Sequence, residues 1–136
     1  MIYDKIETEF WIREVVSKVW KDAEQFGNIG TEPIVRMCVK ANRVAGTARQ
    51  RKGIVEYNLT FACTAPREEY IVTIVHELAH ILQYRLYPKA PQAHGPEFRT
   101  IMELLGYSGR TYHSYNVSKA KQAINEIKTQ DTLLLL

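Results

Sequence analysis

The first 26 residues show the hydrophobic periodicity of one helical face. No Pro or Gly interrupts the chain from Tyr3 to Phe26. Apolar residues recur there at spacings of three and four, at Ile12, Val15, Val16, Val19, Ala23 and Phe26. This pattern predicts a long amphipathic helix, which Gly27 and Gly30 then end.

The pattern then changes to short runs rich in β-branched residues. Pro33 to Lys40 is predicted to be a first strand, Val44 to Arg49 a second, and Ile54 to Leu59 a third. The polar cluster at 49–53 predicts an exposed hairpin turn between the second and third strands. Together these segments predict a small, mostly antiparallel sheet.

A second, more apolar helix is predicted from Pro66 to about Leu86, with Thr64 as its cap. Its apolar residues leave almost no polar face, so the helix is predicted to be buried on most sides. A proline-containing loop follows, then a helix from Pro96 to Leu105 and a last helix from Val117 to Lys128.

The buried helix contains the string His76-Glu77-Leu78-Ala79-His80, an H-E-x-x-H pattern. Positions i and i+4 share one helical face, so both imidazoles can reach one zinc ion while Glu77 stands beside its open position. A short pattern of this kind also occurs by chance on exposed helices. Three ionisable residues on an apolar helix are costly to bury unless they are paired or bound to a metal. The context therefore favours a metal site and a zinc hydrolase, with Glu77 as the general base.

A catalytic zinc requires a third protein ligand, which the pattern itself does not supply. His94, in the loop after the helix, is the preferred candidate, and Glu97 and Glu103 remain as alternatives. A metzincin would carry its third histidine at position 86, which is a leucine here, so that subclass is excluded.

Composition and charge limit the remaining classes. The 136 residues, 46% hydrophobic and 24% charged, predict a single domain over residues 1–136, with a core of about 3–115 and a C-terminal helix and tail at 117–136. A net charge of +3 makes any basic surface local. Only two cysteines and no secretory pattern in Met1 to Phe10 favour a non-secreted protein that is cytoplasmic, or nuclear or nucleoid-associated. No apolar run approaches the roughly 20 residues that span a bilayer.

The same residues carry a resemblance to a known family. The H-E-x-x-H string, followed after thirteen residues by His94-Gly95-Pro96-Glu97-Phe98, resembles the SprT-like zinc metallopeptidases, which include the Spartan-related proteases of DNA–protein crosslinks. The likeness extends over about residues 33–115, through Ala45-Gly46-Thr47-Ala48 upstream and Tyr112-His113 downstream. It implies an α+β, zincin-like minimal protease domain, with the amino-terminal helix on the sheet. It also implies Zn²⁺ on His76, His80 and His94, and catalysis by Glu77.

The resemblance further implies a protein or peptide substrate that adds as an extra strand beside the Ala-Gly strand, a binding mode known from other proteins. It implies action on proteins bound or crosslinked to DNA. The cysteine-rich zinc ribbon of many members is not legible here, which leaves two rivals: a general zinc peptidase without a nucleic-acid role, and a DNA-associated scaffold that does not cleave.

Two further groups of residues are candidates for contacts. Tyr112 and His113 could stabilise an oxyanion, or could simply pack. A basic group near the predicted hairpin could hold single-stranded DNA, although such charges more often only face solvent. Its members are Arg43, Arg49, Arg51 and Lys52. Arg85, Lys89, Arg99 and Arg110 could border the same opening.

Overall fold

The computed structural model describes residues 2–41 and 44–107, in which four α-helices pack around a three-stranded sheet. The helices are Lys5–Ala23 (α1), Leu59–Thr64 (α2), Arg67–Leu86 (α3) and Pro96–Leu104 (α4). The strands are Ile34–Cys38 (β1), Gly46–Arg49 (β2) and Ile54–Asn58 (β3). The chain is therefore α+β, as predicted. Arg43, Arg110, Tyr112, His113, the predicted helix from Val117 to Lys128 and the Leu133–Leu136 tail lie outside the described residues.

The sheet is mixed, so the prediction of a mostly antiparallel sheet is wrong. Its strand order is β1-β3-β2, with β2 antiparallel to β3 and β1 parallel to β3. After β1 the chain crosses to the far edge of the sheet and forms β2. It then returns through the predicted hairpin, and β3 lies between β1 and β2. Asn58, 1% exposed, spans this connection by donating from Nδ2 to the carbonyl oxygens of Lys40 (2.9 Å) and Val44 (3.1 Å).

The long first helix begins where the sequence predicts. The Asp4 carboxylate accepts a hydrogen bond from the Glu7 N–H at 2.9 Å and caps α1. α1 packs mainly against α3 and α2, whereas the expectation was that it would lie on the sheet. It reaches the sheet through Arg13, whose Nη1 donates to the carbonyl oxygen of Val35 at 3.2 Å.

Helix α2 was not predicted, because its short apolar sequence continues the predicted third strand. Asn58 ends β3 and caps α2, its Oδ1 accepting from the Thr60 N–H at 3.1 Å. Thr64 is the last residue of α2 and does not cap α3, because its hydroxyl donates to the Thr60 carbonyl oxygen within α2.

Helix α3 is the central element of the core, as its composition predicts. It contacts α1, α2, α4, β2 and β3. Its apolar residues pack with the inward side chains of the sheet, and Ile74, Val75, Leu78 and Ile81 are fully buried. Among the described residues, no helix is both long and apolar enough to cross a membrane.

Candidate metal centre

Three histidine rings meet in the middle of α3. The Nε2 atoms of His76 and His80 are 3.2 Å apart, because a spacing of four residues places both rings on one helical face. The Nε2 atom of His94 lies 3.3 Å from that of His76 and 3.0 Å from that of His80. The three nitrogen atoms form a nearly equilateral triangle, which we call the histidine triad.

Hydrogen bonding alone does not account for the histidine triad. A ring nitrogen of a neutral histidine is either a donor or an acceptor. In a triangle of three such atoms, at least one side therefore joins two donors or two acceptors. A cation facing all three lone pairs would remove this conflict, so the three histidines could hold a metal ion.

The spacing of the triad fits zinc. Ligand nitrogens about 2.0–2.1 Å from Zn²⁺ at tetrahedral angles stand roughly 3.3–3.4 Å from each other. The three observed separations of 3.0, 3.2 and 3.3 Å approach that value. Among the described residues, these histidines are the only group of metal-ligating side chains that converges in this way, and Glu97 and Glu103 do not belong to it.

The loop between α3 and α4 brings His94 to the pair. Gln83, buried on α3, donates from Nε2 to the Gln92 carbonyl oxygen at 2.9 Å and holds the loop against the helix. Pro96 then starts α4, where a missing N–H is harmless. His94 is thus held between an anchored loop and the first turn of a helix.

Phe98 lies beneath the histidine triad and contacts all three rings. Its ring centroid is 4.9 Å from that of His76, 4.7 Å from that of His80 and 5.0 Å from that of His94. Phe98 is fully buried. Because the phenyl ring fills the space on one side of the imidazoles, it limits their rotation and excludes water from that side.

Glu77 is buried next to the triad, at 6% exposure. Burial raises the pKa of its carboxyl group to about 8. A cation held by the triad would favour the ionised carboxylate and oppose that shift. The group is therefore placed where its protonation state depends on the occupancy of the site.

Close packing against Gly46 determines where the Glu77 side chain lies. A β-carbon at position 46 would be 3.2 Å from Glu77 Cγ, 3.2 Å from Thr73 Cγ2 and 3.2 Å from Tyr57 Cδ1. Strand β2 can approach α3 this closely because residue 46 has no side chain. The Ala-Gly sequence thus brings the edge strand of the sheet beside the carboxylate.

The surroundings of His80 favour its neutral imidazole. Burial, followed by the neighbouring imidazoles of His76 and His94, lowers the pKa of His80 to about 3. The neutral imidazole is the form that binds a metal.

Two buried tyrosines position the strand and the helix around the site. The Tyr57 hydroxyl donates to the Ile74 carbonyl oxygen of α3 at 2.8 Å. The Tyr70 hydroxyl donates to the Ala45 carbonyl oxygen, just before β2, at 2.7 Å. These bonds tie α3 to β3 and to the residue that precedes Gly46 at the start of β2.

The predicted basic group divides into residues with different surroundings. Arg49, Arg51 and Lys52 are exposed and line a cavity of about 470 Å³ at the hairpin turn. Their contact with DNA stays a prediction. Arg85 instead donates from Nη1 to the carbonyl oxygens of Ile29 (2.8 Å) and Thr31 (2.6 Å). Its guanidinium also lies over the Trp20 ring, 5.2 Å from the centroid, so Arg85 holds the 29–31 segment.

Sequence reasoning assigned no role to Phe98 and Gln83, which contact the histidine rings and the His94 loop, or to Asn58, which holds the connection between β1 and β2. Phe98 was quoted only as part of a motif, Asn58 only as part of a strand, and Gln83 was not singled out. Nothing in the sequence pattern marks Gln83 as a contact residue. Its partner is a backbone carbonyl in a loop, which no side-chain pattern reveals.

The chain is similar in sequence to known proteins over most of its length. The SprT-like family model matches residues 16–122. Protein SprT of Actinobacillus succinogenes is 30% identical over 78 residues, which cover 57% of this chain and 45% of the relative. Protein SprT of Glaesserella parasuis serovar 5 is 29% identical over 107 residues, covering 78% of this chain and 67% of the relative. Since the family model spans most of the chain, including the triad, the chain belongs to the SprT-like family.

Proposed function

We propose that this protein is a zinc-dependent endopeptidase with a zincin-like active site. The observation that carries the proposal is the convergence of three Nε2 atoms within 3.3 Å of one another beside a buried carboxylate. Under this proposal His76, His80 and His94 hold the ion. Membership of the SprT-like family supports the same assignment.

Each residue has a separate role in peptide hydrolysis. Zinc, when bound, supplies a Lewis acid that acidifies water and polarises the scissile carbonyl. Glu77 accepts the proton of the attacking water and passes it to the nitrogen of the leaving amine. The position of Glu77, directly after His76 on α3 and packed against Gly46, supports this role.

The open edge of β2 provides a place for the substrate backbone. Within residues 2–41 and 44–107, β2 pairs only with β3, so its other edge presents unpaired backbone groups. A peptide that adds there as a fourth strand would pass beside Gly46 and hence beside Glu77.

The proposal is tested with two variants and two readouts, zinc content and peptide cleavage. Glu77→Gln should retain zinc and lose cleavage, because the ligands remain while the proton acceptor is removed. His80→Ala should lose both. Full cleavage by Glu77→Gln would overturn the role of the carboxylate, and full zinc content in His80→Ala would overturn the ligand set.

Action on DNA-bound or DNA-crosslinked proteins is the more specific part of the proposal, and the family resemblance supports it. Its test is cleavage of a DNA-binding protein by the zinc-loaded enzyme with and without single-stranded DNA. Cleavage that requires DNA supports this substrate class. Cleavage of equal rate in both conditions indicates a general peptidase, and zinc binding without any cleavage indicates a scaffold.

A further inference from the structure

A groove runs from the hairpin turn to the loop that carries His94. Its outer part is the cavity of about 470 Å³, lined by Arg49, Gln50, Arg51, Lys52 and Tyr84. Its inner part is a cavity of about 190 Å³, lined in part by Gln50, Gln83, Tyr84, Tyr87, Gln92 and Ala93. Gln50 and Tyr84 line both parts, so the two cavities adjoin, and Ala93, the residue before His94, lines the inner part.

The groove is an extension of the proposed substrate path. Gly46 at the start of β2 packs on Glu77, and Gln50 just beyond its end lines the groove with Tyr84. Strand β2 and helix α3 therefore run alongside each other in the same direction. A peptide on the open edge of β2 that passes Glu77 would continue towards this groove, because Gln50 follows β2 directly and lines both cavities.

The charge distribution identifies what the groove would accept. The outer part has three cationic side chains and no acidic one, whereas the side chains of the inner part are uncharged. Within the part of the chain that the structure describes, Arg49, Arg51 and Lys52 form no ion pair. The cations therefore remain available to an anionic group of a ligand.

Cationic side chains line only the outer part of the groove, which favours a peptide over a nucleic-acid strand as its ligand. A bound strand carries a phosphate at every nucleotide and requires cations along its length. The inner part offers none; its Gln50, Gln83 and Gln92 side chains have amide groups that suit a peptide backbone. A peptide with one or two carboxylates at the outer end matches these charges better than a nucleic-acid strand does.

We propose that this groove is a specificity subsite for an acidic side chain of the substrate, recognised by Arg51 and Lys52 with Arg49 beside them. This inference rests on the proposed peptidase function. Glu77 and Tyr84 are seven residues apart on α3, or about 10 Å along the helix axis. An extended peptide covers that distance in about three residues. The acidic residue therefore lies about three positions from the scissile bond.

The test measures binding, so that it does not depend on turnover. Labelled peptides that differ only in Asp, Asn or Lys three residues to either side of a fixed central bond are titrated into the full zinc-loaded chain and into Glu77→Gln, by fluorescence anisotropy. We expect the Asp peptide to bind about fivefold more tightly than the Asn peptide, and the Lys peptide to bind most weakly.

Matched variants locate the effect. Arg51→Ala with Lys52→Ala should abolish the preference for Asp while zinc content stays unchanged. Lys18→Ala, at an exposed cation on α1, should keep it. Equal affinity for the three peptides, no binding of any of them, or a preference that survives the double substitution would each overturn the subsite.

The same binding assay, with a single-stranded oligonucleotide, tests whether these cations bind nucleic acid instead. If a single-stranded oligonucleotide binds, loses affinity in the double variant and the peptides are not discriminated, the groove binds nucleic acid and the proposed subsite is wrong. Failure of the peptidase function is read separately: Asp-selective binding without cleavage would retain the subsite and reject proteolysis.

Discussion

Two polar clusters on the same helix, α3, differ in how their polar atoms are satisfied. At the histidine triad, three ring nitrogens lie within 3.3 Å of one another and could bind one metal ion. At the end of the helix, two backbone carbonyls and an indole ring surround the Arg85 guanidinium. The first cluster could hold a metal ion, whereas the second holds the 29–31 segment against the helix.

The contrast corrects an inference that charge alone suggests. Arg85 is one of four basic residues that, on sequence alone, could border an anion-binding opening. Its neighbours in the sequence do not distinguish it from an exposed cation. Only the position of the carbonyls of Ile29 and Thr31 shows that the side chain is already used. Arg51 and Lys52, on the hairpin, have no such partners among the described residues.

The largest expected effect is on zinc affinity, and it distinguishes His94 from Glu97 as the proposed third ligand. Replacing His94 with Ala should weaken zinc binding by more than about 100-fold, because one of three ligands to an ion bound by roughly 10–16 kcal/mol is removed. Glu97→Ala, three residues along the chain, is the matched control and should leave zinc affinity nearly unchanged. Competition with a chromogenic chelator measures both; the reverse ranking would make Glu97 the ligand.

The next effect concerns the second cluster. Arg85→Ala should lower the free energy of unfolding by about 2–3 kcal/mol, because two hydrogen bonds and the contact with Trp20 are lost and two carbonyls are left unpaired. Cleavage per folded molecule should be unchanged. Urea denaturation and activity assays check the two parts; a loss of activity without a loss of stability would place Arg85 in the substrate site.

A pH series should distinguish the clusters again. Burial and the neighbouring imidazoles lower the pKa of His80 to about 3, below its ordinary value of about 6.5. The folded state therefore binds fewer protons than the unfolded state between these values, and the stability of the metal-free protein falls as the pH falls below about 6.5. The loss should reach up to about 2 kcal/mol at pH 5.

Chelator-treated protein, unfolded in urea at pH 7.5 and pH 5, provides the measurement. His80→Gln should flatten the dependence, since it removes the group whose pKa changes most on folding. A slope that is the same in both proteins would show that another group is responsible.

The smallest effect tests the close approach of β2 to Glu77. In Gly46→Ala the new methyl group would lie 3.2 Å from Glu77 Cγ and would displace the carboxylate by a few tenths of an ångström. We expect a roughly fivefold lower kcat with unchanged zinc content, or about 1 kcal/mol in the activation barrier. Ala48→Gly, two residues along the same strand, is the control. Lower zinc content in the Gly46 variant would contradict a selective effect on Glu77.

The elements that sequence predicted correctly depend on local patterns. The helical spacing of α1 and α3, the turn at 50–53 and Pro96 at the start of α4 each act within a few residues. The parallel pairing of β1 with β3 was missed, because alternation shows which face of a strand is buried but not which strand lies beside it. Helix α2 was missed because its six residues, four apolar and two threonines, suit a strand as well as a helix.

By itself, the sequence determined the SprT-like resemblance and the position of His76, Glu77 and His80 on one helix, because a helix relates residues four apart wherever it lies. The sequence favoured His94 over Glu97 and Glu103 as the third ligand, but only the tertiary structure shows its ring beside the other two, held by Gln83, Gln92 and Phe98. The same holds for Arg85 and for the groove beside Tyr84. Contacts between distant segments depend on how the chain packs, which no local pattern encodes.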